Sequence, residues 1–312
     1  MKKYLKQIPL LKKIVGRVKW EYTKFNWKYR PHFIPDNIYK RTFGSKINWK
    51  NPQNLIEKIY WLQIYSDTTI WTLCADKYRV REYVKQKGCS EILNTLYGRW
   101  ESACDITWED LPDSFVLKTN NYYGQVIVVE DKNKIDKEKV IRMLNEWIRK
   151  KYGYYDAQLH YSKIKPCIIA ERFIENTDQP EKSLIDYKIW CFNGEPECIL
   201  VITDRKDGRK LSLYDLYWKN ISHSFIKPEV RNFKEIPKPL SLDKMMKISK
   251  KLSEGIPQVR IDFYEIEGKP IFGEMTFTAG YLNYKTEYFD YLGSQLNLKK
   301  SKKMARPNTP FN

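Results

Sequence analysis

In the run VRIDFYEIEGKPIFGEMTF, Arg260 and Asp262 stand two apart, and Glu274 falls on the next strand pattern beyond a glycine-containing turn. Residues two apart on a strand share a face, and an antiparallel return brings Glu274 close to Asp262. Facing carboxylates repel unless a cation lies between them. Mg²⁺ takes a few carboxylate oxygens together with phosphate oxygens, so this pair suits a metal–phosphate site. It equally suits a solvated sheet face on which Arg260 pairs with Asp262, and spacing alone does not choose.

Three further runs carry cations on otherwise apolar patterns. FVLKTNNYYGQVIVVEDK reads as strand, polar turn and strand, with Lys118 on the incoming strand. DYKIWCFNG puts Asp186 and Lys188 on one strand face, and ADKYRVREYV puts Asp76 and Lys77 at a helix start. A lysine on a strand commonly lies at an edge with its stem over apolar surface, so none of these alone marks a phosphate ligand.

These residues need elements to hold them. NLIEKIYWLQIY and DKYRVREYVKQKG carry apolar residues at helical spacing, which makes the first third of the chain mostly helical. Pro112 and Asp113 turn the chain into the strand that carries Lys118, and DKEKVIRMLNEWIRKKYG is a helix closing at Gly153. From Pro166 the pattern is strand-rich, with a hairpin turning at Asn193-Gly194, a favoured turn pair. Strands alternating with helices predict an α/β or α+β scaffold of several subdomains. The expected division is a basic amphipathic segment 1–45, a helical subdomain 46–112, a lid 113–170, a C-terminal subdomain 171–292 with the metal hairpin, and a loose basic tail 293–312.

Composition sets the outer bounds. The 312 residues are 42% hydrophobic and 15% aromatic, enough for a sizeable core. The net charge of +18 favours an acidic partner, whether nucleic acid, an anionic membrane face or an acidic polymer. No helix-turn-helix, zinc-finger or RNA-recognition pattern accompanies that charge, so no nucleic-acid partner is expected. Six cysteines without a C-x-x-C pair read as reduced and buried, which fits a cytoplasmic protein. Lysines interrupt every apolar run at the N-terminus, and no stretch approaches the ~18 apolar residues of a membrane span. If helical, Tyr4, Ile8, Leu11, Val15, Val18 and Tyr22 form one stripe, suited either to peripheral contact with the anionic inner membrane or to packing on the protein's own body.

Taken in order, ADKYRVREYV, FVLKTNNYYG, IIAERFIE, DYKIWCFNG and VRIDF…FGEMTF resemble the ATP-grasp superfamily and, more narrowly, its TupA-like branch, named for teichuronopeptide biosynthesis. NPQNLIEKIYWLQIY resembles that branch's N-terminal signature, and the resemblance covers roughly Asn51 to Gly280. It implies an ATP-grasp fold with the nucleotide between two α+β subdomains. By the same resemblance Lys77 and Lys118 hold phosphates, Asn120 and Gly124 belong to the phosphate loop, and Asp186 approaches the ribose. Glu171 lies near the adenine amine, with the backbone through Phe173 and Ile174 bonding the ring. Lys188 and Arg260 are catalytic, Arg260 for a tetrahedral intermediate, and Asp262, Glu274 and Thr276 bind Mg²⁺, or Mn²⁺ in its place. Where the family has a glycine-rich loop after the lysine, this chain has TNNYYGQ, whose tyrosines hinder a tight phosphate cradle or else cover the nucleotide.

The implied activity is an ATP- and Mg²⁺-dependent carboxylate–amine ligase acting through an acyl phosphate. Its implied partners are an acidic surface polysaccharide or lipid-linked uronate precursor, of capsule, teichuronopeptide or O-antigen type, and an amino acid or amine. Two alternatives stand beside it. One is a glycosyltransferase of the same biosynthesis, against which the chain offers no D-x-D triplet. The other is a degenerate, non-catalytic ATP-grasp scaffold.

Overall fold

The computed structural model describes residues 9–176, 183–204, 208–278 and 280–301. Five helices open the chain: α1 (Pro9–Tyr29), α2 (Phe33–Phe43), α3 (Leu55–Tyr65), α4 (Thr69–Ala75) and α5 (Val80–Gln86). Asn54 starts α3 by accepting from Glu57 N–H, which satisfies one of the orphan donors of the first turn. Nearly all of α3 is buried, as its run of apolar residues requires.

Strands β1 (Leu96–Trp100), β2 (Phe115–Thr119) and β3 (Val126–Val129) follow, then α6 (Lys137–Arg149), α7 (Leu159–Ser162) and β4 (Ile168–Arg172). They form an antiparallel sheet in the order β1-β4-β2-β3. Phe115, Leu117, Val129, Ile168 and Ala170 point to one face and pack with Val140 and Leu144 of α6. Strict alternation therefore turns Val116, Lys118, Val126 and Val128 to the opposite face.

The second half holds β5 (Asp186–Phe192), β6 (Glu195–Thr203), β7 (Lys210–Tyr214), α8 (Ser222–Phe225), α9 (Leu242–Ser253), β8 (Gln258–Ile266), β9 (Lys269–Thr276) and α10 (Thr286–Gln295). Its sheet runs β7-β6-β5-β8-β9, again antiparallel, inside a larger core shared with the N-terminal helices. The turns at Asn193-Gly194 and Glu267-Gly268 have positive φ at both residues, the geometry that matches the twist of a two-residue hairpin. Two antiparallel sheets with helices make the fold α+β.

Several expectations are corrected. β1 belongs to the first sheet although it lies in the segment expected to be helical, and β4 runs through the expected boundary at 170/171. The sheet thus spans 96–172. Gly98 hid β1 from a pattern reading: the strand is irregular there, and the Trp100 ring folds over the place a Gly98 Cβ would take. α6 stops at Arg149, four residues before Gly153. Gly293, the expected start of a loose tail, is buried within α10, and Lys58 Nζ donates to the carbonyls of Gly293 and Leu296 at 2.7 and 2.8 Å. Cys104 is exposed, whereas the other five free cysteines are buried as expected. Tyr4, Ile8 and residues 302–312 lie outside the described residues.

Candidate active site

The β8–β9 hairpin places Asp262 directly opposite Glu274 and Arg260 opposite Thr276. On the other side of β8, Lys188 of β5 stands opposite Asp262. The register slips by one residue after Asp262, and the extra residue on β9 is Gly273. A Cβ there would meet the Asp262 carbonyl oxygen at 2.9 Å, so the bulge that aligns Glu274 with Asp262 needs a glycine. Gly273 was missed in the sequence because a glycine in a strand does not reveal what approaches it.

Arg260 grips Asp262 through Nε and Nη2, both at 2.8 Å, and Nη2 also donates to Thr276 Oγ1 at 3.2 Å. Lys188 Nζ binds the same carboxylate and stands 3.4 Å from Asp186. Both readings of the pair thus meet: Arg260 does neutralise Asp262, but in a buried setting rather than on a solvated face. Burial pushes the Asp262 carboxyl up, and Arg260 and Lys188 more than offset that, holding it below the usual carboxylate range. Thr276 passes a hydrogen bond to Glu274 Oε1 at 3.2 Å, whose side chain stays 38% exposed. Guanidinium carries five N–H donors, and the two on Nη1 have no protein acceptor among the described residues.

On the first sheet Lys118 Nζ donates to Glu171 Oε2 at 2.8 Å, and Arg81 Nη1 to Oε1 at 3.3 Å. Arg81 was not anticipated, because nothing in a helical run indicates which distant carboxylate it meets. Lys77 precedes α5, and its N–H donates to Asn120 O at 3.2 Å. Burial lowers its pKa against the field of Glu274 from the second sheet, while Lys118 and Glu171 act on it from the first. Its Nζ donates to the Tyr122 carbonyl, which ties it to the loop after β2. The face of β2 and β3 that carries Lys118 also holds Val126 and Val128, both exposed.

Not every anticipated residue is free for a nucleotide. The Asn120 side chain is buried and committed to Lys165 O (3.0 Å) and Cys167 N–H (2.7 Å). It shapes the loop instead of lining it. Glu171 is committed to Lys118 and Arg81. Phe173 and Ile174 follow β4 and are half-buried, and Gly124 sits at the loop tip with φ +76°. Asp76 holds the turn before α5 by accepting from Tyr78 and Arg79 N–H. Of the loop tyrosines, Tyr122 packs onto the segment before α7, and Tyr123 stays exposed. Tyr122 stacks between Tyr123 and Tyr152 at 4.2 and 4.1 Å and donates to Asp156.

The donor set can be tested for a divalent ion. Among the described residues no group of three or more His, Cys, Asp and Glu side chains gathers, so protein atoms alone supply no cage. Two hard-oxygen carboxylates in register, one open to the cleft, do fit Mg²⁺ that takes its remaining ligands from phosphate and water. Lys188 and Arg260 balance Asp262 in this arrangement, and a divalent ion would share that carboxylate with them.

The sequence matches the family model described as TupA-like ATPgrasp over residues 57–297. The chain belongs to the TupA-like ATP-grasp family. No curated protein matches it. Among solved structures, this ATP-grasp chain is similar to a D-alanine–D-alanine ligase from Helicobacter pylori at 19% identity and TM-score 0.40, covering 77% of this chain and 66% of that one. A D-alanine–D-alanine ligase from Bacillus anthracis complexed with ATP gives 16% and 0.39, over 69% and 57%. N5-carboxyaminoimidazole ribonucleotide synthetase from Thermus thermophilus gives 10% and 0.39, over 69% and 48%. The ATP-grasp chain spans about half to two thirds of the length of these structures.

Proposed function

We propose that this protein is an ATP- and Mg²⁺-dependent carboxylate–amine ligase that attaches an amino acid or other amine to a uronic acid of a bacterial surface polysaccharide or its lipid-linked precursor. The observation that supports the reading is convergence: Arg260 stands 4.0 Å from the open carboxylate of Glu274 and shares Asp262 with Lys188, while Lys77 feels both Glu274 of one sheet and Lys118 of the other. Phosphoryl transfer to a carboxylate needs little covalent help from a protein and much fixed positive charge, which this arrangement supplies. The net charge of +18 suits an acidic acceptor, and use of ATP puts the reaction on the cytoplasmic side.

In this reading a carboxylate oxygen attacks the γ-phosphorus, the bond to the bridging oxygen breaks and ADP leaves. The amine then attacks the acyl carbon, gives up a proton, and inorganic phosphate departs with the amide formed. Lys77, Lys118 and Lys188 neutralise phosphate charge. The two donors on Arg260 Nη1 stabilise the oxyanion, while its other face, locked on Asp262, fixes the guanidinium plane. Mg²⁺, when bound, supplies further charge neutralisation and polarises the phosphoryl group, and Mn²⁺, with similar oxygen preference, is expected to substitute. Glu274 and Asp262 would hold it, with the Thr276 hydroxyl a poorer third donor.

The test is ADP release with Mg²⁺ across a panel of uronates and amino acids, with mass spectrometry of the product. A product lighter than acceptor plus amine by the mass of a single water, as amide formation requires, supports the ligase. Turnover of a sugar nucleotide without ATP would point to the glycosyltransferase. A folded protein that binds no ATP would be the scaffold.

A further inference from the structure

Helix α1 has two apolar faces: one is docked on the protein, and the other stays exposed, with Tyr22 meeting Phe33 of α2 edge-on at 6.1 Å. Trp20 meets Tyr154 edge-on at 4.9 Å, Trp27 is fully buried and donates to Tyr154 O at 2.8 Å, and Thr23 is buried beside them. That face docks the helix on the segment before α7. Ile14, Val15, Val18, Tyr22, Phe25 and Tyr29 are all exposed. With 3.6 residues per turn these six fall within about 100° of arc, opposite the docked face. The stripe from Ile14 to Tyr29 is roughly 22 Å long at 1.5 Å per residue.

Cations border this stripe. Arg17, Lys24 and Lys28 run along one side and Lys19 along the other, while the helix holds a single acidic residue, Glu21, paired with Lys24 at 2.6 Å. Arg30, just beyond the helix, lies 5.7 Å over the Phe25 ring. An apolar stripe with tyrosines and basic margins is the pattern that lies flat in the boundary between headgroups and acyl chains. A second copy of the chain is a poor match for the face, because it would bring the same margins and the same +18 charge. Among the described residues no helix is long and apolar enough to cross a membrane.

We propose that the outer face of α1 binds the surface of an anionic phospholipid bilayer, with Val15, Val18, Tyr22, Phe25 and Tyr29 entering the boundary and Arg17, Lys19 and Lys28 meeting the headgroups. The inference stands whether or not the chain is a ligase. The experiment is co-sedimentation of the full chain with vesicles of phosphatidylcholine alone or with phosphatidylglycerol. The expected result is binding to the anionic vesicles, at least about tenfold weaker binding to neutral ones, and weakening with salt. Val15→Asp/Val18→Asp, at positions 62% and 64% exposed, and separately Arg17→Glu/Lys28→Glu, should each lower partitioning by about tenfold or more while circular dichroism stays unchanged. Failure of the wild type to sediment, or equal sedimentation of the variants, would overturn the proposal. So would light scattering that shows a wild-type dimer dissolved by Val15→Asp/Val18→Asp.

Discussion

Each sheet holds a carboxylate between two cations, and the two clusters differ in depth. On the second sheet Arg260 and Lys188 close on Asp262, whose side chain is 4% exposed, with Lys188 at 6%. On the first, Lys118 and Arg81 meet Glu171 at 11%, and Lys118 is 27% exposed. Asp262 sits mid-strand with Arg260 on its own strand and Lys188 on the strand beside it, whereas Glu171 lies next to the end of β4 and draws Arg81 from a helix. The same chemistry therefore does two jobs. In the proposed ligase the buried cluster would fix Arg260 as a rigid donor platform, and the shallower one would let Lys118 exchange its carboxylate for a phosphate.

That contrast makes Asp262→Asn the most disruptive change. It strands two buried cations, which costs about 3–5 kcal/mol. Chemical denaturation of the variant should show this loss, and a loss below about 1 kcal/mol, the range of exposed pairs, would erase the distinction in depth. The acid limb follows from the same group. Because the folded-state pKa of Asp262 is depressed, its contribution is present above the unfolded value of about 4 and is lost as pH falls through the folded value. Stability of the wild type should therefore fall below about pH 4, and Asp262→Asn should flatten that fall.

Gly273→Ala comes next, at about 1–3 kcal/mol, since the added Cβ presses on the Asp262 backbone. Its diagnostic is a loss of ligase turnover larger than the same destabilisation produces at a distant core site. Glu171→Gln should cost about 1–2 kcal/mol, less than Asp262→Asn, because water reaches Lys118. Equal costs in the two variants would break the comparison. Glu274→Gln, at a side chain open to the cleft, should change stability by no more than about 0.5 kcal/mol and yet remove Mg²⁺-dependent turnover. Retained turnover would remove Glu274 from the metal site.

The two clusters were unequally legible in the sequence. Alternation and a glycine turn were enough to pair Asp262 with Glu274, and residue spacing placed Arg260 beside Asp262, because these are contacts within one hairpin. Lys188 was placed on a strand, but its meeting with Asp262 depends on β5 lying next to β8, a choice made by the whole core. The Arg81–Glu171 contact spans 90 positions and leaves no local trace. The family resemblance put Asn120 in the phosphate loop, and only the closure of residues 165–167 on it shows that its amide is spent on backbone. The depth of each cluster was hidden for the same reason, since burial is a property of the packed sheets.

The central claim is that both sheets serve one nucleotide site, and calorimetric titration of the wild type with Mg²⁺·ATP, beside Lys118→Met and Glu274→Gln, tests it most directly. The account predicts saturable binding by the wild type and weakening of about tenfold or more in both variants, one from each sheet, with the fold intact. Absence of binding in a folded wild type, or weakening in only one variant, would contradict it.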